Sequence, residues 1–239
     1  MVEGGMKVVK YLVFFFNFIF WLCGGLLIII GALAQSKYSE YTSITGGLFS
    51  GLPIYIIIVG CVIFVVSFLG CCGAVKENYC MVTTFAVLLV IILLLEIAAV
   101  IAGYVLQDEI YDAVNKGLLD AQKDYVDDNE VVQETYDSLQ SEVECCGANN
   151  YTDWLKFPNQ SIPDSCCVNE TAGCGAKAGT NPSADVIYPK GCTAKLEAVL
   201  IDNFEIIAGV AIGIAVVELL GIICACCLMR SIKSEYEVV

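Results

Sequence analysis

Four apolar runs, at residues 11–34, 52–70, 81–106 and 206–228, leave this chain little choice of environment. Each approaches or exceeds the ~20 apolar residues that a helix needs to cross the hydrocarbon core of a bilayer. With the fourth crossing taken as 204–228, the remainder is a tail at 1–10, short connections at 35–51 and 71–80, one long hydrophilic stretch at 107–203, and a second tail at 229–239. The short pieces cannot form a second soluble domain. Function must therefore reside in the long stretch, the bundle or the tails.

The long stretch carries six cysteines, as Cys145-Cys146-Gly147, Pro163-Asp164-Ser165-Cys166-Cys167, Cys174 and Lys190-Gly191-Cys192. An even set at loop-type spacing implies a disulfide framework, which persists only in an oxidising compartment, so this stretch lies outside the cytosol. Lysine and arginine give the same orientation independently. Lys7, Lys10, Lys76, Arg230 and Lys233 crowd the tails and the 71–80 turn, which the positive-inside bias assigns to the cytosol. Lys7 and Lys10 before an apolar run, with Ala32-Leu33-Ala34 after it, have the outline of a cleavable signal. The run is far longer than the ~7–15 residues of a signal core, so it reads as an uncleaved first span. The expected fold is an all-α membrane protein: a four-transmembrane-helix bundle with a disulfide-stapled, mainly helical outer loop.

The spans carry small or polar residues at seven-residue spacing: Asn17, Gly24, Gly31; Gly60, Ser67; Glu96, Gly103; and Ala211, Glu218, Ala225. This spacing puts each series on one helix face, where small residues let helices approach and polar ones avoid lipid. Nothing strong breaks a helix between Met81 and Tyr125, and Ile110, Val114, Leu118, Ala121 and Tyr125 prolong an apolar stripe, so the third span is expected to extend outward as a stalk. Val132, Tyr136, Leu139 and Val143 mark a second amphipathic helix, and Leu196, Val199 and Leu200 a third leading into the fourth span. Between Cys145 and Cys192 the chain is rich in Asn, Gly, Pro and Ser and reads as irregular. Six cysteines admit more than a dozen pairings, and spacing does not choose among them. Only direct bonds between adjacent cysteines are disfavoured, because one peptide link holds the Cα atoms too close together. Each closed loop is worth roughly 2–4 kcal/mol.

Residues 107–203 hold 18 acidic and 6 basic side chains, nearly all of the chain's net charge of −14. An acidic outer face disfavours nucleic acid and anionic headgroups and permits a basic partner. The chain has no histidine, which removes the commonest participant in acid-base, triad and zinc chemistry, so neither an enzyme nor a cofactor or metal site is expected. A channel needs more polar lining than Asn17, Glu96 and Glu218 supply.

Four sets of residues are candidates for function. Asn150, Asn159 and Asn169 stand in Asn-x-Ser/Thr contexts in the outer loop, whereas Asn181 precedes proline and is excluded. Cys71, Cys72, Cys80, Cys226 and Cys227, with Cys224 beside them, cluster at cytosolic span ends where thiols accept palmitate; Cys23 and Cys61 lie mid-span and read as packing residues. Tyr236-Glu237-Val238-Val239 fits a tyrosine-based sorting signal, with Tyr236 and Val239 as anchors for the medium subunit of a clathrin adaptor. Asn17, Glu96 and Glu218 are the strongly polar residues deep in the spans. They are read either as register-fixing hydrogen-bonding groups or as the border of a pocket for a sterol or other membrane lipid, with Asn17 expected to meet Glu218.

Four spans, a short then a large outer loop, Cys145-Cys146-Gly147, Pro163-Asp164-Ser165-Cys166 and a polar residue in spans one, three and four together resemble the tetraspanins, over the whole chain. Within the family, Asn150-Tyr151-Thr152-Asp153-Trp154, Val75-Lys76-Glu77-Asn78-Tyr79-Cys80 and the terminal Tyr236-Glu237-Val238-Val239 resemble its late-endosomal and lysosomal member used as an exosome marker. Glu235 stands where that form has glycine, and Lys190 where glutamate is frequent. The resemblance implies bridges Cys145–Cys192, Cys146–Cys166 and Cys167–Cys174. It also implies an organiser that binds integral membrane proteins, such as integrin-like proteins or other tetraspanins, and directs their traffic through late endosomes, lysosomes, the plasma membrane and extracellular vesicles. The alternative is a lipid- or sterol-binding or transport protein built on the intramembrane polar residues.

Overall fold

A computed structural model describes the backbone of residues 4–41, 48–127, 129–157, 161–179 and 182–237, with side chains described for 6–36, 53–127, 129–157, 161–179 and 182–234. Among these residues the chain forms α1 (Gly4–Tyr41), α2 (Leu48–Lys76), α3 (Tyr79–Val105), α4 (Gln107–Val126), α5 (Glu130–Val143), α6 (Cys174–Ala178), α7 (Cys192–Asp202) and α8 (Phe204–Glu237). Two 3-10 turns, Tyr151–Lys156 and Asp164–Cys166, lie between α5 and α6. The segments long and apolar enough to cross a membrane are Met6–Ser36, Pro53–Lys76, Tyr79–Val105 and Phe204–Ser234. They give a four-span, all-helical membrane protein.

The chain divides into two compact units. The first comprises Met1–Leu33, Ile54–Val105 and Ala208–Val239, and the second Ala34–Pro53 and Leu106–Ile207. The helix expected to continue past the third span is broken at Leu106, whose ψ of 27° ends α3 and starts α4. A similar break at Asn203, whose side-chain Nδ2 donates to the Val199 carbonyl at 2.8 Å, separates α7 from α8.

In the first unit α1 and α2 touch backbone to backbone. A Cβ on Gly24 would stand 2.8 Å from the Phe64 amide nitrogen, and one on Gly60 would stand 3.0 Å from that of Ile28. Only glycine permits that approach, which in lipid replaces the hydrophobic drive that water would provide. The Trp21 ring lies against Phe64 with centroids 5.1 Å apart. At the next step along the interface Asn17 covers Gly70, where a Cβ would come within 2.6 Å of its side chain. The buried residues Val13, Val66, Ala74, Val82, Phe85, Ala86, Ala225, Leu228 and Ile232 form one cluster toward the cytosolic ends of the helices. Glu77, at φ 50°, and Asn78 make the α2–α3 turn; Asn78 Oδ1 accepts from the Met81 amide at 3.1 Å, and Lys10 Nζ pairs with Glu77 Oε1 at 2.8 Å.

The seven-residue series are unequal in use. Gly24, Gly31, Gly60, Ser67 and Ala225 are buried, but a Cβ on Gly103 would meet nothing within 4 Å. Contacts between α3 and α8, such as Gly221 against Leu89 and Thr83 Oγ1 to Met229 Sδ at 3.1 Å, involve residues nearer the cytosolic ends of these helices. The spacing marks a face but not how far along the helix a partner follows it. Gly24→Val is therefore expected to destabilise the detergent-solubilised protein by about 1–3 kcal/mol through overpacking. Gly103→Val should leave the thermal midpoint within error, and equal effects of the two would refute the assignment.

Candidate functional site

The second unit is built around Cys145-Cys146-Gly147. α5 ends at Glu144, whose left-handed backbone (φ 58°) turns the chain and delivers both cysteines to fully buried positions. Disulfides join Cys145 to Cys192, Cys146 to Cys166 and Cys167 to Cys174. Backbone bonds run beside them: Cys146 N–H to the Lys190 carbonyl at 2.9 Å, Cys192 N–H to that of Gly147 at 2.8 Å and Thr193 N–H to that of Ala148 at 3.1 Å. Gly147 has φ +70°, and a side chain at Gly191 would run into the Asn149 carbonyl, so both glycines are needed for the two segments to lie this close.

Pro163-Asp164-Ser165-Cys166 also has its reasons. Asp164 accepts from the Gly173 amide at 2.7 Å and the Gly175 amide at 3.0 Å, closing the short loop that the Cys167–Cys174 bond ties. Those two amides hold its carboxyl below the usual carboxylate range, with Lys177 adding to the effect. Ser165 donates to Asp137 Oδ1 at 2.6 Å. With the Gln140 amide oriented to satisfy its neighbours, its nitrogen donates to Ser165 Oγ at 3.0 Å and its oxygen accepts from Trp154 Nε1 and the Gly147 amide, both at 3.3 Å. One fully buried glutamine thus joins α5 to three separate segments. Sequence reading passed over Gln140, although it falls four residues after Tyr136 and eight after Val132, on the same helix face.

The core of this unit is aromatic. Trp154 packs edge-on against Tyr125 and Tyr136, at centroid separations of 4.8 and 5.4 Å. Burial pushes both phenols up, reinforced by the Asp137 carboxylate at Tyr125 and by Asp153 at Tyr136. Asp153 is itself almost fully buried. Burial alone would raise its carboxyl, but Lys156 and the Asn149 and Asn150 amides bring it below its ordinary value.

The candidate residues fall into different environments. Asn150 caps the first 3-10 turn, its Oδ1 accepting from Thr152 N at 2.8 Å and Thr152 Oγ1 at 2.6 Å. Neither bond uses Nδ2, the atom a glycan would take. Asn169 is exposed, and Asn159 lies outside the described residues. Cys80, Cys226 and Cys227 are exposed, Cys72 and Cys224 half-buried, and Cys71 buried. Cys23 and Cys61, expected to pack between helices, are exposed instead because the glycine faces of α1 and α2 leave them outside the contact. α8 continues to Glu237, so the backbone of Tyr236 is helical, and Val239 lies outside the described residues.

The intramembrane polar residues do not converge on one site. Asn17 donates Nδ2 to its own helix, at the Val13 carbonyl, at 2.8 Å, and packs on Gly70. Glu218 lies within electrostatic reach of Glu96, and one oxygen of each is shielded without a hydrogen-bond partner. Among the described residues no hydrogen bond joins Asn17 to Glu218: Asn17 bonds to α1 and packs on α2, while Glu218 lies within electrostatic reach of Glu96 on α3.

The family model for the Tetraspanin family matches residues 9–231. The chain belongs to the tetraspanin family. It is 45% identical to human CD63 antigen and 46% identical to that of Oryctolagus cuniculus, in each case over 99% of both chains. It is 35% identical to CD151 antigen of Mus musculus over 97% of this chain and 95% of that one. This tetraspanin is accordingly a membrane organiser that interacts with other membrane proteins, and not an enzyme.

The buried Tyr136 and half-buried Tyr125 phenols make the outer unit sensitive to alkali. Both titrate higher in the fold than the value of about 10 in an unfolded chain. The stability they confer is complete below that pH and is lost as pH rises through their folded-state values. Trp154 emission in a Trp21→Phe variant should report unfolding above about pH 10, and Tyr125→Phe with Tyr136→Phe should move that transition upward. An unmoved transition would mean that other groups control it.

Proposed function

We propose that this tetraspanin binds partner membrane proteins laterally, integrin-like proteins and other tetraspanins among them, and directs their passage through late endosomes, lysosomes, the plasma membrane and extracellular vesicles. The observation that supports the trafficking part is the 45–46% identity to CD63 antigen over 99% of both chains. Ile232 is 2% exposed within the membrane unit, and Tyr236 follows only four residues later. A sorting signal read by an adaptor medium subunit must leave the membrane surface in extended form, with tyrosine and terminal hydrophobe in pockets. The last turn of α8, helical through Glu237, unwinds for that use, and Tyr236 and Val239 are the anchors.

Three further modifications belong to this reading. Glycans occupy Asn150, Asn159 and Asn169, which the free Nδ2 of Asn150 and the exposure of Asn169 support. Palmitate is carried by cysteines at the cytosolic span ends, which the exposure of Cys80, Cys226 and Cys227 supports. The three outer disulfides keep the ectodomain folded in an oxidising compartment. A lipid-transport role has less support, since Asn17 bonds to its own helix and packs on Gly70 while Glu218 lies within electrostatic reach of Glu96.

Tyr236→Ala is expected to raise the surface fraction several-fold by removing the adaptor anchor, measured by surface biotinylation of the full chain. An unchanged fraction would remove the tail from the sorting argument and leave lateral partner binding as the remaining proposal.

A further inference from the structure

The apolar stripes of α4 and α7 run further toward the membrane than the core that covers them. At the far ends of these helices Val114, Leu118, Ala121 and Tyr125 of α4 and Leu196 of α7 pack into the cysteine-centred core. At the ends joined to the spans, Ile110 is 47% exposed, Leu200 59% and Ile201 66%. In water each of these side chains would forgo favourable burial. Leu106, between the third span and α4, and Phe204, the first residue of the fourth span, are exposed as well. The uncovered stripe is thus continuous along the chain with the lipid-facing surface of the spans.

A cavity of about 410 Å³ opens beside this stripe, lined by Gln107, Asp108, Tyr111 and Asp112 of α4 and by Glu197 of α7. Leu200 and Ile201 follow Glu197 by three and four residues, so they lie on the same helix face and nearer the membrane. The lining residues stand between two and seven positions from the span ends at Val105 and Phe204. At about 1.5 Å of rise per residue they lie no more than about 10 Å from those ends however the helices tilt, against a headgroup layer roughly 5–8 Å deep.

The lining holds three carboxylates, one aromatic ring and no lysine or arginine. It therefore repels an anionic headgroup and attracts a cation. A quaternary ammonium suits it best, because that group has no N–H to donate and is held by charge and by the face of an aromatic ring, here Tyr111. A primary ammonium is compact and strongly hydrated, so it gains less by entering. In a phosphocholine lipid the trimethylammonium stands outermost and the acyl chains lie beyond the phosphate on the membrane side. The cavity and the exposed Leu200 and Ile201 follow in the same order.

We propose that this surface binds a phosphocholine lipid of the outer leaflet, with its trimethylammonium among Asp108, Tyr111, Asp112 and Glu197 and its acyl chains against Ile110, Leu200 and Ile201. The occupant is a membrane lipid because the apolar stripe leads directly into the spans, and it is a choline lipid because of the charge and the ring above that stripe.

The full chain in nanodiscs of equal parts dioleoyl phosphatidylcholine, phosphatidylethanolamine and phosphatidylglycerol tests this. After transfer to detergent, native mass spectrometry counts the lipids that stay with the protein. Phosphatidylcholine should be retained roughly threefold over either of the others, the scale of a few exposed charge contacts and one cation–π contact. Asp112→Asn with Glu197→Gln should abolish the preference; both side chains are exposed, and an unchanged thermal midpoint confirms the fold. Equal retention of the three lipids by the parent, or an unchanged preference in the double variant, overturns the proposal. A second measurement avoids detergent. A photo-reactive phenylalanine analogue in place of Leu200 should form adducts of lipid mass in the same nanodiscs. A cross-link at twice the mass of the chain would assign the surface to a second copy, and either that result or the absence of any lipid adduct overturns the proposal.

Discussion

Two pairs of adjacent cysteines organise the outer unit, because neighbours in sequence do not readily bond to each other. Consecutive Cα atoms stand about 3.8 Å apart, closer than a disulfide normally holds them. The bonds formed here have Cα separations of 4.9, 4.9 and 6.5 Å. Cys145 and Cys146 therefore bond elsewhere, to Cys192 and Cys166, and Cys166 and Cys167 likewise, to Cys146 and Cys174. The result is a covalent relay that runs from Cys192 at the start of α7, through the end of α5 and the Asp164 turn, to Cys174 at the start of α6. Irregular chain with few periodic apolar residues is held by this relay in place of a large core.

The relay alone would leave many polar groups buried without water. Asp164 captures two amides inside the smallest loop, Asp153 takes those of Asn149 and Asn150, and Gln140 and Ser165 connect α5 to the segment carrying Cys166. A buried amide left unpaired costs about 1–3 kcal/mol, comparable to one disulfide. The side chains around the cysteines thus matter as much as the bonds.

The spans, their number and the helical face of α5 were legible because each depends on apolar residues recurring at a fixed period. The small-residue series marked the faces carrying Gly24 and Gly60 but gave Gly103 the same weight, although a Cβ there would meet nothing within 4 Å, since periodicity describes one helix and packing requires two. Asn17 was read toward Glu218 for the same reason. Its true neighbour, Gly70, has no polar group to announce it, and the space above a glycine is invisible until both helices are placed. Asp164 and Ser165 were visible as a motif, but their roles depend on Gly173, Gly175, Asp137 and Gln140, which are distant in sequence or ordinary in type.

The two units meet the same difficulty in different solvents. A small unit in water buries too little apolar area to offset the entropy of ordering its chain, and covalent loops reduce the entropy lost. In lipid the apolar side chains gain almost nothing by leaving one hydrocarbon environment for another, so helices associate through close packing and specific polar contacts. Gly24 and Gly60 bring α1 and α2 together, Lys10 pairs with Glu77 at the cytosolic end, and the Cys71 thiol meets the Phe14 carbonyl between them. Cysteine serves both units by opposite chemistry. Outside, each of the paired sulfurs has given up a proton and, to an oxidant, an electron; at the cytosolic edge of α2, the Cys71 thiol keeps its hydrogen and donates it to the Phe14 carbonyl at 3.5 Å.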